Sequence, residues 1–245
     1  MRAVNIDEAP KLDRILIHAI NGVGKSHMLA SFLAHEKQYG KCLYVYVAGE
    51  PAVTSMANFD MTGVQVVEID SCLDIPKVEK EYGPQHAIAF DSLAALNELA
   101  DKMETGDLRA PGAVVKGGGV DGQAEWGKIK YHVTSNIAKL QKMSTIFMAA
   151  CPSDKDTNEV TGVTSIAPGL VGKLSYQIVR RFSFVGYMEA IGINATKIDR
   201  QVSFHFRSDA VTRANVKTPF KGPIKIPVGT DGWPVLKGEL LKSLL

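Results

Sequence analysis

The segment from Ala19 to His27 has the residue types and spacing of a phosphate-binding loop. It reads "AINGVGKSH", and a lysine and a serine directly follow its last glycine. Small residues let backbone N–H groups turn toward phosphate oxygens, and a helix starting near the lysine adds its positive dipole end. Lys25 would contact the β- and γ-phosphates, and the Ser26 hydroxyl would bind Mg²⁺. We therefore predict that ATP is bound by Ala19, Ile20, Asn21, Gly22, Val23, Gly24, Lys25, Ser26 and His27.

One position departs from the usual pattern. The motif G-x-x-x-x-G-K-[ST] begins with glycine, whereas this chain has Ala19. Alanine is the smallest possible change, and Gly22 adds flexibility. The alternative is an ordinary glycine turn before a helix, with a chance Lys-Ser pair. A strand at "ILIH", the loop, and helical spacing in "KSHMLASFLAHE" follow in register, which favours the phosphate-binding loop.

Two carboxylates complete the predicted chemistry. Asp91 ends the apolar run "AIAF", and a buried carboxylate is costly unless it is paired or bound to a metal. We predict that it holds Mg²⁺ together with Ser26; its alternative role is to cap the next helix. Glu50 stands just past the second strand and could orient or deprotonate the attacking water. Its alternative is an exposed turn carboxylate in "GEP".

Apolar runs alternate with helical segments along most of the chain, which predicts an α/β fold. Alternation of this kind is typical of a mostly parallel twisted sheet with helices on both faces. After Ile178 polar and apolar residues alternate more, which indicates antiparallel strands at the sheet edge. We predict a single domain over residues 1–245. The predicted strands are Ile15–His18, Cys42–Val47, Val64–Asp70, one beginning at His86, and Ser144–Cys151; the predicted helices include "IPKVEKEYG" and Trp126–Met143.

Two long connections interrupt this pattern, Met103–Gly127 and Pro152–Lys173. Long loops inside a compact domain are usually functional or disordered. Both leave the carboxyl ends of strands, the edge at which open α/β sheets bind ligands. Basic residues near them and the Gly117–Gly119 tract suit a track for single-stranded DNA.

The composition limits the partners. The net charge of +2 gives no global argument for nucleic acid or membrane binding, so any basic patch must be local. Three separated cysteines suggest buried thiols in a reducing compartment. The N-terminal segment lacks the apolar core of a signal peptide, and no apolar run approaches the roughly 18 residues of a membrane span. We expect a cytoplasmic protein without a membrane partner.

The order "AINGVGKS", "YVYVAGE", "IAFDSLAAL", a long loop and helix, "IFMAAC" and a second long loop resembles the RecA-type recombinase core. The small size and "APGLVGKLSYQIVRRF" look more like phage-encoded RecA-like ATPases implicated in single-strand annealing. The resemblance implies an ATPase that acts on single-stranded DNA in phage homologous recombination or strand annealing, in the host cytoplasm. A ring or filament of identical subunits and a single-strand-binding protein are the further partners it implies.

The resemblance also implies roles for particular residues. Glu50 falls on the family's catalytic carboxylate, and Asp91 falls on its Walker B aspartate. Arg213 in "TRANVKTPF" falls on the basic segment that reaches the neighbouring subunit's nucleotide, so it joins Lys25 and Glu50 as a catalytic candidate. The two long connections fall on the DNA-binding loops, with the candidate contacts Lys116, Gly117, Gly118, Gly119 and Lys173.

One departure and two alternatives remain open. The family has glutamine, or in phage relatives histidine, as γ-phosphate sensor where this chain has Cys151. A thiol is a poor hydrogen-bonding group, so Ser153 and Asp154 are the polar candidates to replace it. Another motor built on the same core, such as a hexameric helicase or packaging ATPase, is one alternative. A nucleotide-binding regulatory module that hydrolyses ATP poorly is the other, favoured by Ala19 and Cys151.

Overall fold

The computed structural model describes residues 13–105, 120–157, 164–171, 174–194, 197–204, 224–227 and 230–244. The strands in this part of the chain are β1 Arg14–Ala19, β2 Cys42–Val47, β3 Val64–Ile69, β4 Gln85–Asp91, β5 Ser144–Thr157, β6 Thr164–Pro168, β7 Phe184–Asn194, β8 Lys197–Phe204 and β9 Ile224–Ile226. The α-helices are α1 Lys25–Glu36, α2 Ala52–Met56, α3 Asp74–Tyr82, α4 Leu93–Thr105, α5 Val120–Lys142, α6 Leu174–Val179 and α7 Gly232–Leu244.

The strands form one sheet in the order β3-β2-β4-β5-β1-β7-β8-β9, with β6 paired to β5. Pairing is parallel from β3 across to β7. It is antiparallel from β7 to β9. The structure confirms the predicted α/β class, the mostly parallel sheet and the antiparallel strands late in the chain. Because β1 lies between β5 and β7, and β4 between β2 and β5, the carboxyl ends of β1, β4 and β5 meet at one edge.

Helices cover both faces of the sheet, as predicted. Successive strand residues point to opposite faces, so Ile15 and Ile17 pack on one side and Leu16 on the other. The first side is covered by α1 and α7. The second is covered by α3, α4, α5 and α6. Burial on both faces explains why the central strands read as continuous apolar runs rather than as alternating ones.

The helix α7 was not predicted, and it packs directly on α1. Its Trp233 is fully buried, with its ring edge-on to Phe32 at a centroid distance of 4.9 Å. A Cβ atom on Gly232 would lie 2.7 Å from the Met28 Cε atom, so the flexible end of Met28 would have to shift if another residue stood there. The indole Nε1 of Trp233 donates a 2.7 Å hydrogen bond to the buried Glu36 carboxylate. This pairing fixes the helix that begins at Lys25.

The predicted first loop, Met103–Gly127, is wrong at both ends, because α4 continues to Thr105 and α5 begins at Val120. We predicted irregular structure through Gly127, but α5 already begins at Val120. Glycines lower helix propensity by only about 1 kcal/mol each, and α5 makes tertiary contacts that repay this cost. Its His132 Nε2 lies 2.8 Å from the Glu104 carboxylate of α4. Residues 106–119, with the predicted DNA contacts Lys116 and Gly117–Gly119, lie outside the described residues.

The predicted second loop is also wrong in part. Strand β5 continues past Cys151 to Thr157 and pairs antiparallel with β6, from Ser153 opposite Pro168 to Thr157 opposite Thr164. The sequence "SDKDT" lacks alternating apolar residues, so periodicity gave no strand signal. The backbone ladder forms nonetheless, because its hydrogen bonds do not depend on side-chain polarity. Residues 158–163 and 172–173, including Lys173, lie outside the described residues.

The structure also bears on the cysteines and on the length and apolarity of the helices. Its three cysteines are all buried and free, as the sequence suggested. Across residues 13–105, 120–157 and the shorter described ranges, no helix combines the length and apolarity needed to cross a bilayer.

Candidate nucleotide site

The loop between β1 and α1 turns at two of its glycines. Gly22 and Gly24 adopt left-handed conformations, with φ values of 82° and 103°. Glycine reaches this region without the penalty of a Cβ atom. Ala19 is the last residue of β1 and has no positive φ, so alanine at this position brings no backbone strain. The departure from the motif is therefore compatible with the loop geometry.

The N-terminus of α1 opens at the same place. No side chain caps the helix, and no acidic residue lies in its first turn. The first N–H groups of a helix have no partners within it and carry the positive end of the helix dipole. N–H groups at such a position can donate to an acceptor outside the helix, which suits an anion.

Lys25 folds back over the loop. Its Nζ atom donates hydrogen bonds of 3.2 Å to the Ala19 carbonyl, 3.3 Å to the Ile20 carbonyl and 3.4 Å to Asn21 Oδ1. Burial lowers the pKa of Lys25, and the nearby Asp91, together with Cys151 and Glu50, partly opposes that effect. A partly dehydrated ammonium group therefore lies against the loop between β1 and α1.

Asp91 lies in the same cluster at the end of β4. It is 1% exposed and accepts a 3.1 Å hydrogen bond from the Tyr44 hydroxyl. Burial raises the pKa of Asp91, while hydrogen bonds from Ser26 and Tyr44 work against that increase. Burial and the charge of Asp91 in turn raise the pKa of Tyr44 well above its ordinary value, so its hydroxyl remains a donor.

The start of α4 is capped by Ser92 and not by Asp91, for which capping was the alternative role. Helix α4 begins at Leu93, and the Ser92 hydroxyl accepts a 3.4 Å hydrogen bond from the backbone N–H of Ala95. The peptide bond between Asp91 and Ser92 is cis. Asp91 itself accepts hydrogen bonds from Ser26 and Tyr44 instead.

Glu50 is turned toward the cleft rather than out to solvent. Gly49 has a φ of 92° and reverses the chain just after β2. The Glu50 Oε1 atom then accepts a 2.8 Å hydrogen bond from the Ser92 hydroxyl. The charge of Glu50 acts to raise the pKa of both Lys25 and Asp91. The cation, the buried carboxylate and this half-buried carboxylate thus lie together.

These groups line one cleft of about 520 Å³. That size lies within the range of cofactor and nucleotide pockets. Glu98, which sequence reasoning missed, also lines the cleft. Glu98 lies four residues after Ala94 and three after Ala95, so all three share one face of α4. This spacing indicates a lining residue only once α4 is known to face the site. The lining residues are Asn21, Gly22, Gly24, Lys25, Ser26, Glu50, Pro51, Ser55, Asp91, Ser92, Ala94, Ala95, Glu98 and Pro152.

The other predicted loop residues lie beside the cleft rather than on its wall. Ala19 and Val23 are buried in the core, and Ile20 is 42% exposed. The His27 ring packs against Phe59 at a centroid distance of 4.6 Å. Arg213 lies outside the described residues.

Cys151 lies deep beneath the cleft. Its side chain is fully buried, and burial raises the pKa of the thiol far above its ordinary value. The next residues begin the β5–β6 hairpin: Pro152 lines the cleft and Asp154 is exposed. The Ser153 hydroxyl lies 2.9 Å from His18 Nδ1 on β1. Of the two polar candidates, Ser153 thus contacts β1, the strand that precedes the Ala19–His27 segment.

The donor set fits Mg²⁺ in the way this ion is usually held. Among the described residues, no group of three or more His, Cys, Asp and Glu side chains is placed to form a protein cage for a metal. Mg²⁺ commonly keeps several waters and takes only one or two protein ligands beside substrate phosphates. The Ser26 hydroxyl hydrogen-bonded to the buried Asp91 carboxylate is a donor set of that kind.

Comparison with known proteins does not assign the chain to a family. No protein-family model matches the chain, and no curated protein shows a significant match. Interpretation of the cleft therefore depends on the geometry of its own residues.

Proposed function

We propose that the protein binds ATP with Mg²⁺ in this cleft and hydrolyses it. One observation carries the proposal: Lys25, the Ser26–Asp91 pair and Glu50 converge on a single cleft at the carboxyl edge of a parallel sheet. The uncapped start of α1 opens at the same place. A cation, a metal-binding pair and a carboxylate able to act on water are the parts that phosphoryl transfer to water requires.

Each group has a distinct role in this proposal. The first N–H groups of α1 and the Lys25 ammonium bind the phosphate oxygens. Ser26 and Asp91 hold Mg²⁺, which when bound neutralises charge on the phosphates. Glu50 orients the attacking water and accepts its proton, while the Ser92 hydroxyl at 2.8 Å fixes the Glu50 carboxylate. Because Glu50 enters from the turn after β2 and Lys25 from the loop after β1, the two act on the cleft from different strands.

We further propose a RecA-like core that acts on single-stranded DNA as a homo-oligomer. Support comes from the resemblance of the motifs and from the strand order, in which Glu50 follows β2, Asp91 ends β4 and the β5–β6 hairpin continues β5. By the resemblance, the segments that would contact DNA are Met103–Gly127 and Pro152–Lys173, and the second of these contains the paired part of the β5–β6 hairpin. Phage recombination or strand annealing is the corresponding process.

A weakly hydrolysing regulatory module is the second candidate, and one observation favours it. The fully buried Cys151 thiol stands at the position where a γ-phosphate sensor is expected. If nucleotide binding were not relayed to the hairpin, the protein would bind ATP without coupling it to DNA.

Steady-state release of phosphate from ATP, with and without single-stranded DNA, tests these proposals. Glu50→Gln keeps the oxygen that accepts from Ser92 but cannot act as a base. It should bind ATP normally and hydrolyse it about 10²–10⁴-fold more slowly.

Glu68→Gln is a matched control, because Glu68 accepts a 2.5 Å hydrogen bond from the Tyr46 hydroxyl at the sheet edge. Hydrolysis by Glu50→Gln at the native rate would refute the catalytic role. Hydrolysis by the native protein that DNA leaves unchanged would favour the regulatory module.

A further inference from the structure

Tyr44 places a hydroxyl group inside the core of the sheet. Its side chain is 0% exposed and stands on β2 among the apolar residues of "CLYVYV". A buried tyrosine hydroxyl needs a hydrogen-bond partner, whereas phenylalanine would fill the same space without one. The partner is Asp91 Oδ2 on the neighbouring parallel strand β4, at 3.1 Å.

This hydrogen bond constrains the carboxylate proposed to hold the metal. Asp91 accepts from Tyr44 on one side and from Ser26, the other proposed metal ligand, as well. With Oδ2 held from inside the sheet, rotation of the carboxylate about its own axis is restricted. Mg²⁺ demands near-ideal octahedral geometry, so the orientation of a ligand directly affects how well the ion is bound.

We propose that Tyr44 is a positioning residue of the Mg²⁺ site, which holds Asp91 in the orientation that binds the ion together with Ser26. The inference rests on the proposed function, because it concerns the metal of the same cleft. Tyr44 is not in contact with nucleotide or metal; it acts through Asp91. Loss of such an outer partner typically lowers metal affinity about 10–100-fold.

The chain offers a closely matched control. Tyr46 lies two residues further along the same strand, and its hydroxyl donates a 2.5 Å hydrogen bond to the Glu68 carboxylate. Glu68 is an exposed residue of β3 and does not line the cleft. Tyr44→Phe and Tyr46→Phe therefore each remove one tyrosine–carboxylate hydrogen bond from β2, and only the first of these bonds reaches the metal site.

The test is the Mg²⁺ dependence of ATP binding, measured by calorimetry at fixed ATP over a range of free Mg²⁺. Tyr44→Phe should need about 10–100-fold more Mg²⁺ for half-maximal tightening. Its affinity for ATP in EDTA should equal that of the native protein. Tyr46→Phe should follow the native curve in both conditions.

A second measurement separates positioning from general damage. Bound Mn²⁺, counted by electron paramagnetic resonance in the presence of ATP, should fall in Tyr44→Phe, and excess metal should restore the native kcat. If native protein shows no Mg²⁺-dependent ATP binding, the proposed function itself fails. If native protein binds Mg²⁺ and ATP but Tyr44→Phe has a Mg²⁺ dependence within twofold of it, the positioning role alone is refuted. A loss that excess metal does not restore, or an unfolded Tyr44→Phe, also refutes it, because Tyr44 would then be structural.

Discussion

Glu36 connects the C-terminal helix to the helix that begins at Lys25, and its neutralisation should destabilise the fold. The carboxylate is 1% exposed. Its Oε1 accepts 2.7 Å hydrogen bonds from Trp233 Nε1 and Lys237 Nζ, and its Oε2 lies 2.9 Å from His86 Nε2. Glu36→Gln keeps the shape of the side chain but replaces the charged carboxylate with a neutral amide, which has only one acceptor oxygen.

The size of the effect follows from these three contacts. A hydrogen bond to a charged group contributes about 1.5–3 kcal/mol, against about 0.5–1.5 kcal/mol for a neutral one. Loss of about 1 kcal/mol at each contact gives about 3 kcal/mol in the free energy of unfolding. For a chain of this size that corresponds to a fall in Tm of about 6–12 °C. Urea unfolding monitored by circular dichroism at pH 7 measures it directly.

The pH dependence provides an independent check. Burial alone would raise the pKa of Glu36, but hydrogen bonds from Lys237, His86 and Trp233 outweigh it, so the pKa lies below its ordinary value. A depressed pKa means that the stabilisation is complete above the unfolded-state value of about 4.3 and is lost as the pH falls through the folded-state value. The deficit of Glu36→Gln should therefore shrink in acid.

A surface carboxylate of α7 serves as control. Glu239 pairs with Lys242 at 2.6 Å, and both side chains are exposed. Glu239→Gln should change the free energy of unfolding by less than about 0.5 kcal/mol. Equal stability of Glu36→Gln and the native protein at pH 7 would show that the buried network does not hold α7 on α1.

The remaining predictions concern partners. If the nucleotide lies at a subunit junction, mixing inactive Arg213→Ala and Glu50→Gln subunits should restore some ATP hydrolysis; a protein that stays monomeric with ATP and DNA would contradict this. Single-stranded DNA affinity should fall steeply with salt and show little sequence preference, as measured by fluorescence anisotropy. Neutralising Lys116 with Lys173, or removing Gly117–Gly119, should weaken DNA binding while ATP affinity stays native. Absence of single-strand binding at low salt, with or without an ATP analogue, would exclude the DNA partner.

The strand and the helix on either side of the proposed phosphate-binding loop could be predicted because their signals are local. The apolar run of β1, the glycines, and the helical spacing after Lys25 lie within about twenty residues and agree with one another. Asp91 was predictable for a similar reason, since an acid at the end of an apolar strand has few stable roles. Its contact with Ser26 follows from the fold and supports the assigned metal role.

Features that depend on tertiary pairing could not be read from the sequence. The β5–β6 hairpin pairs the polar run Ser153–Thr157 with Thr164–Pro168, and a polar run gives no alternating apolar pattern that would predict a strand. The packing of α7 could not be predicted, because it depends on a hydrogen bond between Trp233 and Glu36, which lies some 200 residues earlier in the chain. Tyr44 looks like an ordinary strand residue until the parallel register places it beside β4 and its hydroxyl meets Asp91.

The most direct test of the nucleotide site is calorimetric titration of ATP with Mg²⁺ into native protein, Lys25→Ala and Lys37→Ala. Lys37 follows α1 at its other end and donates to Asp60 at 2.6 Å, so it controls for loss of a helix lysine. Two charge-assisted contacts of about 1.5–3 kcal/mol each correspond to a loss of affinity of at least about 100-fold. We expect that loss, or complete loss of binding, in Lys25→Ala alone. Binding of ATP by Lys25→Ala with native affinity would contradict the assignment of residues 19–27 as a phosphate-binding loop.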